Sequence, residues 1–420
     1  MVHVHGRDVA QRAVRIGRVP AERRLLVPVD VGKHEAMALV ADATGDRLVA
    51  PFTFTLDRSG LAELVQRVKR VVNARGDVQV EVGVETAGHY HRPVTASSML
   101  PAVWTLVELN PAHVTEQRRV LGKRGIKTDQ IDLAAMFDLL VAGRGLIVAP
   151  RCEALQQLQA WAAMRHRRVA AVIATKNQLL GQMDHAFAGA SRCVADSLLD
   201  TKVGRLVITE FADPARLARL GVERFRRFAA ARDVIVARKV AERFVAAARP
   251  ALPLDGAATA RQLVAADLEL LQRLEGHANQ AEERIAELLP QTPFAVLTTT
   301  PGWATVRVGC YGAALGEPTR WPTARQVYRA SGLTPKTYES AGTRYDGQIC
   351  RKGSVELRGS PLELGMGLWL CDPTSRSYAI SLKSRGKPAG IIACAMAHRA
   401  NKIAFAMVRD QTPYNPEHWS

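Results

Sequence analysis

Four acids in this chain stand where a carboxylate is either costly or unusually well placed. Asp30 interrupts the apolar run "VPVDVGKHEAMALV", residues 27–40, among the β-branched Val27, Val29 and Val31. A charge on the buried side of a strand costs several kcal/mol, roughly, unless something pairs it. Asp30 therefore needs a cation or a metal, or else it caps the strand and bonds the turn at Gly32–Lys33. Glu85 ends the run "VQVEVGVE", four residues after Glu81 and just before the turn at Ala87–Gly88. Ligand sites in α/β sheets gather at such strand ends. Asp129 and Asp132 open a helical pattern in "GKRGIKTDQIDLAAMFDLL". Their spacing sets both on one helix face, one turn apart. Thr128 before them suits a cap, and acids in a first turn favour the helix dipole. The dipole accounts for either of that pair but not for Asp30 and Glu85.

Together the four acids suggest a divalent-metal site. Mg²⁺, or Mn²⁺, takes hard oxygen ligands and leaves positions for water and substrate phosphate. Two such ions about 4 Å apart serve phosphoryl transfer by supporting the attacking and the leaving oxygen. Lys123, Arg124 and Lys127, immediately before Asp129, could hold a nucleic-acid backbone against them. The order of the acids along strand, strand end and helix start points to a ribonuclease-H-like nuclease core.

The elements that must position these residues follow from periodicity. Strand-like runs at 25–31, 36–41, 47–54, 78–84 and 102–108 alternate with helix-like runs at 57–73 and 128–142, an α/β pattern. Residues 1–24 form a basic tail without the apolar stretch of a secretory signal. From 151 to 290 the chain turns rich in Ala, Leu, Arg and Glu. "LQQLQAWAAMRHRRVAAVIATKNQLLGQM" and "ARQLVAADLELLQRLEGHANQAEERIAELL" are long amphipathic segments that suit a helical hairpin or a coiled coil, and so a dimer or tetramer. Between them residues 216–249 hold ten basic residues against Glu223, Asp233 and Glu242, a surface suited to phosphates. Residues 291–420 carry glycine-rich turns, among which short helices are expected.

Whole-chain totals agree. The 420 residues carry 57 Lys and Arg against 40 Asp and Glu, a net charge of +17 that suits an anionic partner such as nucleic acid. Six scattered cysteines form no CxxC pair, which fits a reduced, cytoplasmic setting. "GIIACAMAHRANKIAFAMV" is broken by His398, Arg399, Asn401 and Lys402, so it reads as a core helix and no membrane partner is expected.

Asp30 in "VDVGKHEA", Glu85 in "VETAGHY", and Asp129 and Asp132 in "KTDQIDLAAM" resemble the DEDD tetrad of the IS-one-ten (Piv-type) transposases of bacterial insertion sequences. "PGWATV", "ARQVYRASGLTP" and "YESAGTRYDGQICRKGSVELR" resemble that family's second block. The resemblance implies an α/β RuvC-like (ribonuclease-H-like) domain over residues 25–150, a helical or coiled-coil insertion over 151–290 and a mainly α transposase domain over 291–420. It implies DNA cutting and rejoining at a DEDD site with Mg²⁺ and a serine nucleophile, here Ser340 in "ESAG", with Ser354 and Ser360 as alternatives. It further implies a structured non-coding RNA that pairs with donor and target DNA.

Read from chemistry alone, Ser340 is a weak nucleophile until a base or metal activates it. Arg344, Arg351, Lys352 and Arg358 nearby could hold a phosphate, arginine bidentately. Two other readings stay open: a junction nuclease that uses water, and a non-catalytic nucleic-acid-binding protein. His89 and His91 lack a third metal ligand in sequence, and Trp161, Trp303, Trp321 and Trp369 read as core, with Trp303 also able to stack on a base if exposed.

Overall fold

The computed structural model describes residues 16–420 except 18, 87, 97, 123–127, 149–151, 341, 342, 352 and 420. At 339, 340, 344, 346 and 419 the description is of the backbone. Most of the basic tail, and Lys123, Arg124, Lys127 and Lys352, lie outside the described residues. The chain divides into two compact units, residues 1–150 and 151–420.

The first unit is a mixed sheet in the order β3-β2-β1-β4-β5-β6. Strands β1 (Arg24–Val31), β2 (Glu35–Asp42) and β3 (Arg47–Thr55) form an antiparallel meander. Strands β4 (Gln79–Glu85) and β5 (Thr105–Leu109) run parallel to β1, and the short β6 (Leu146–Ile147) returns antiparallel at the edge. The expected strands and the helix α1 (Arg58–Arg75) are all present. The strand expected from residue 102 starts later because Trp104 N–H closes a turn onto the Pro101 carbonyl. A further helix, α2 (Pro111–Val120), was not expected, although Asn110 caps it and Pro111 occupies its first position.

Strand pleating sorts the side chains onto two faces. Leu25, Val27, Val29, Val80, Val82 and Val84 pack with Leu61, Leu64 and Val68 of α1. On the other face Leu26, Val107 and Leu109 pack with Ala135, Met136, Leu139 and Leu140 of α3 (Asp129–Val141).

In the second unit α4 (Glu153–Ala186) and α8 (Ala257–Leu288) pair along their lengths. Arg165 with Glu282 and Gln178 with Asp267 show them antiparallel, so the helical hairpin forms within the chain. At one end of the pair, Leu179 and Met183 join a core with α5 (Lys202–Glu210), α6 (Pro214–Ala230) and α7 (Arg238–Ala248). At the other end, Leu155, Leu158, Ile285 and Leu288 share one core with the C-terminal helices. One continuous core thus takes residues from both sides of position 290, Leu289 and Phe294 among them.

The C-terminal region differs from the expected short helices. Helices α9 (Thr305–Leu315) and α10 (Ala324–Ala330) precede a hairpin, β7 (Pro335–Ser340) with β8 (Thr343–Ile349), and then α11 (Val355–Cys371), α12 (Pro373–Ser384) and α13 (Ala389–Asp410). Gly312, expected in a turn, lies inside α9, where a Cβ would stand 2.7 Å from the Phe294 ring, and glycines of α11 let backbones touch. A Cβ on Gly365 of α11 would stand 2.7 Å from the Ala397 nitrogen of α13. Gly302, at φ +78°, and Gly367 similarly face each other's carbonyls. Helix α13 is long and apolar enough to cross a membrane by length and composition. Its Ile392, Met396, Ala400, Ile403 and Ala404 are buried in the core, as the sequence reading expected.

Candidate DEDD site and serine hairpin

The parallel register pairs Val29 with Val84, so Asp30 and Glu85 follow as neighbours at the ends of adjoining strands. Alternation places both on the face opposite α1, the face that α3 covers. An independent contact agrees. Met37, the antiparallel partner of Asp30, packs beside Leu133 of α3. Both acids are half-buried.

Helix α3 brings the other two. Thr128 caps it by accepting the Ile131 N–H at 3.3 Å. Asp129 in the first turn is exposed, whereas Asp132 is only 2% exposed. The Arg118 guanidinium of α2 pairs with Asp132 Oδ1 at 2.9 Å, and Gln117 donates to Asp138 at 3.1 Å, tying α2 to α3. At its far end α3 rests on Gly83, where a Cβ would meet Leu140 Cδ1 at 2.6 Å. The Leu140 carbonyl accepts from Arg24 at 3.3 Å. Arg24 also bonds the wholly buried Glu81 at 3.1 Å. Of the two acids on this side of β4, Glu81 is therefore part of the core and Glu85 stands at the strand's open end.

Asp30 and Glu85 thus share one sheet face, and α3, which carries Asp129 and Asp132, packs on that face. Among the described residues no three His, Cys, Asp or Glu side chains gather closely enough to hold an ion. The donor set is nonetheless all carboxylate oxygen, the type Mg²⁺ or Mn²⁺ takes, and Arg118 already supplies positive charge at Asp132. The His89 and Tyr90 rings lie 4.3 Å apart, tilted by 39°.

Ser340 ends β7 and is the register partner of Thr343 across the hairpin turn. The alternative serines are engaged in helix structure. Ser354 caps α11 by accepting the Leu357 N–H at 3.1 Å, and its hydroxyl donates to Glu356 at 3.0 Å. Ser360 is buried and donates to the Glu356 carbonyl at 2.8 Å. Arg358 donates to the carbonyls of Ser331 at 3.1 Å and Arg351 at 2.6 Å, which fastens the segment leading into α11. Arg351 is exposed, with φ +55°. Trp303 is 2% exposed and donates its indole N–H to the Leu364 carbonyl at 2.8 Å, so it is a core residue and is closed to base stacking.

The basic stretch 216–249 lies on α6 and α7. Arg216, Arg226, Arg232 and Arg238 pair with Glu210, Glu223, Glu210 and Glu242. Arg219, Arg224, Arg227, Lys239, Arg243 and Arg249 are exposed and have no acidic partner among the described residues. Sequence charge located this face, but only the fold shows which cations remain outward.

A family model described as "Transposase", for the DEDD transposases of IS110, matches residues 27–188. A second, described as "Transposase IS116/IS110/IS902 family", matches residues 295–379. The chain is 25% identical over 243 residues to the insertion element IS110 uncharacterized 43.6 kDa protein of Streptomyces coelicolor, covering 57% of this chain and 60% of that protein. It is 26% identical over 159 residues to a probable family 20 transposase of Pseudomonas aeruginosa, covering 35% and 47%. The match to the insertion element IS116 uncharacterized 44.8 kDa protein of Streptomyces clavuligerus is 23% identical and covers 94% and 96%. The first two matches thus span about half to three-fifths of those relatives. The four acids fall inside the first matched segment and Ser340 inside the second, and the chain belongs to the IS110/IS116 family of transposases.

Proposed function

We propose that this protein is a DNA transposase of an insertion sequence, with a RuvC-like first unit. Asp30, Glu85, Asp129 and Asp132 are its acidic site and Ser340 its nucleophile. The reading is carried by one observation: Asp30 and Glu85 adjoin at strand ends on the face that α3, bearing Asp132, covers. The sheet order β3-β2-β1-β4-β5 and the family match support it.

The four carboxylates would hold Mg²⁺ or Mn²⁺, which supplies charge stabilisation to a phosphoryl transfer when bound. Ser340 attacks a DNA phosphate, so an Oγ–P bond forms as the bond from phosphorus to a sugar oxygen breaks. The serine gives up its proton and the departing sugar oxygen takes one. Attack by a hydroxyl of the other DNA partner reverses the exchange and frees the serine. Ser354 and Ser360 are less suited because their hydroxyls serve α11.

The decisive experiment traps the covalent protein–DNA adduct and maps it by mass spectrometry. The adduct is expected on the peptide containing Ser340. Ser340→Ala and Asp132→Asn are expected to abolish strand exchange while retaining nucleic-acid binding. Full exchange by Ser340→Ala would remove the serine from the mechanism.

Donor and target DNA are the substrates, in the bacterial cytoplasm, and a structured non-coding RNA is the proposed guide. The family and the net charge of +17 support both. Sequencing RNA that co-purifies with the protein tests the guide. A second copy of the chain is proposed to dock on the α4–α8 pair, whose Ile173, Leu263 and Leu270 are exposed. Light scattering reads the resulting dimer or tetramer.

A further inference from the structure

Tyr338 and Tyr345 are register partners across the β7–β8 hairpin. Their rings stack in near-parallel planes, 16° apart, with centroids 5.0 Å apart. The residues are 50% and 63% exposed. Other ring pairs among the described residues are tilted or edge-on. Tyr338 has a structural duty, since its Cε2 lies 3.6 Å from where a Cβ on Gly347 would stand and so covers bare backbone. A cross-strand aromatic pair also steadies a two-stranded ribbon, which is marginal by itself. Neither duty uses the large aromatic surface that Tyr345 leaves in water.

Location gives that surface a partner. Tyr338 is two residues from Ser340 on β7, and Tyr345 is two residues from Thr343, the partner of Ser340. Two strand residues span roughly 7 Å, which matches the reach from a phosphate to the base of an adjoining nucleotide. Exposed Lys336 and Arg351 flank the hairpin and suit a phosphate backbone. A tyrosine face accepts any base by stacking.

We propose that Tyr345, backed by Tyr338, is a stacking platform for an unpaired nucleobase of the DNA strand whose phosphate Ser340 attacks. The identity of that strand rests on the role given to Ser340; the stacking does not. The hairpin would hold the strand open beside the reacting phosphate by replacing one base-stacking contact with a ring of its own.

The test measures binding of the full-length protein to single-stranded DNA oligonucleotides in which one abasic site is walked along the sequence. Wild type and Tyr345→Phe are expected to lose about tenfold in affinity at one abasic position. Tyr345→Ala is expected to bind the intact strand about tenfold more weakly and to be indifferent to the walk. Equal binding of the intact strand by Tyr345→Ala and wild type overturns the platform, as does a walk that the Ala variant still reads. Since Tyr345→Ala could loosen the hairpin, 5-iodouracil at the sensitive position provides a second measurement on the wild type. A photo-crosslink to Tyr345 or Tyr338 supports the proposal, and one mapped elsewhere overturns it. Abasic discrimination with RNA oligonucleotides but not with DNA overturns the DNA assignment. Ser340→Ala should keep the abasic signature, so strand exchange that survives in Ser340→Ala refutes the serine role and leaves the stacking result separate.

Discussion

Arg118 bonds Asp132 at 2.9 Å on the face that also carries Asp30 and Glu85. An arginine in that place and a divalent ion compete for the same carboxylate. Replacing Arg118 with Gln removes a charge partner from a nearly buried acid, which destabilises the unit in the absence of metal. Added Mg²⁺ should then raise the melting temperature of Arg118→Gln by several degrees more than that of wild type, and Asp132→Asn should show the smallest rise. Thermal shift with and without Mg²⁺ reads this directly. A second residue-scale outcome concerns His398 on α13. Burial, with Lys402 adding to it, holds its imidazole below the usual value. The folded state thus favours neutral His398, and this contribution to stability is present above about pH 6.5, the ordinary histidine value. It is lost as the pH falls below that value toward the depressed one. The urea midpoint of wild type should drop between pH 7 and pH 5, and His398→Gln should flatten that part of the drop.

The element that carries Asp129 and Asp132 is α3, and its far end is anchored by a buried ion pair. Arg24 and Glu81 are 2% and 0% exposed, and Arg24 also reaches the Leu140 carbonyl. Arg24→Met alone leaves Glu81 buried without its arginine and should cost about 3–5 kcal/mol. The double variant Arg24→Met with Glu81→Leu should recover much of that loss, because an apolar pair carries no desolvation penalty. A double-mutant cycle by urea unfolding measures the coupling, and additive losses would show that the pair does not act as a unit. Much of this element's role was legible in advance. Thr128 before Asp129 announced a capped helix, and the cap is there, but the three-residue spacing did not show that Asp132 is buried while Asp129 stays exposed. Arg118 as the partner of Asp132 was not legible, because nothing in the pattern of α2 says which of its arginines meets α3.

At the scale of the whole molecule, the net charge of +17 is unevenly available. Four arginines in residues 216–249 are paired with acids, while Arg219, Arg224, Arg227, Lys239, Arg243 and Arg249 face outward. If these cations meet phosphates, Arg224→Gln with Arg227→Gln should lower the slope of log affinity against log salt by about one unit per residue. The same change at the paired Arg238 should lower it by less. Filter binding or anisotropy across a salt series provides the slopes.

The alternation of Val27, Val29 and Val31, and of Val80, Val82 and Val84, encodes two-faced strands in the chain itself, because side chains of a strand point alternately to either side. The long Ala-Leu-rich segments likewise encode their amphipathic helices. Pairing partners are another matter. That β1 lies between β2 and β4, that the α4–α8 pair forms within one chain rather than between copies, and that Gly312 is a contact point against Phe294 inside α9 rather than a turn depends on residues far apart along the chain. Local periodicity reports which face of an element avoids water. It carries no record of what will cover that face, and that was settled only when the distant segments packed together.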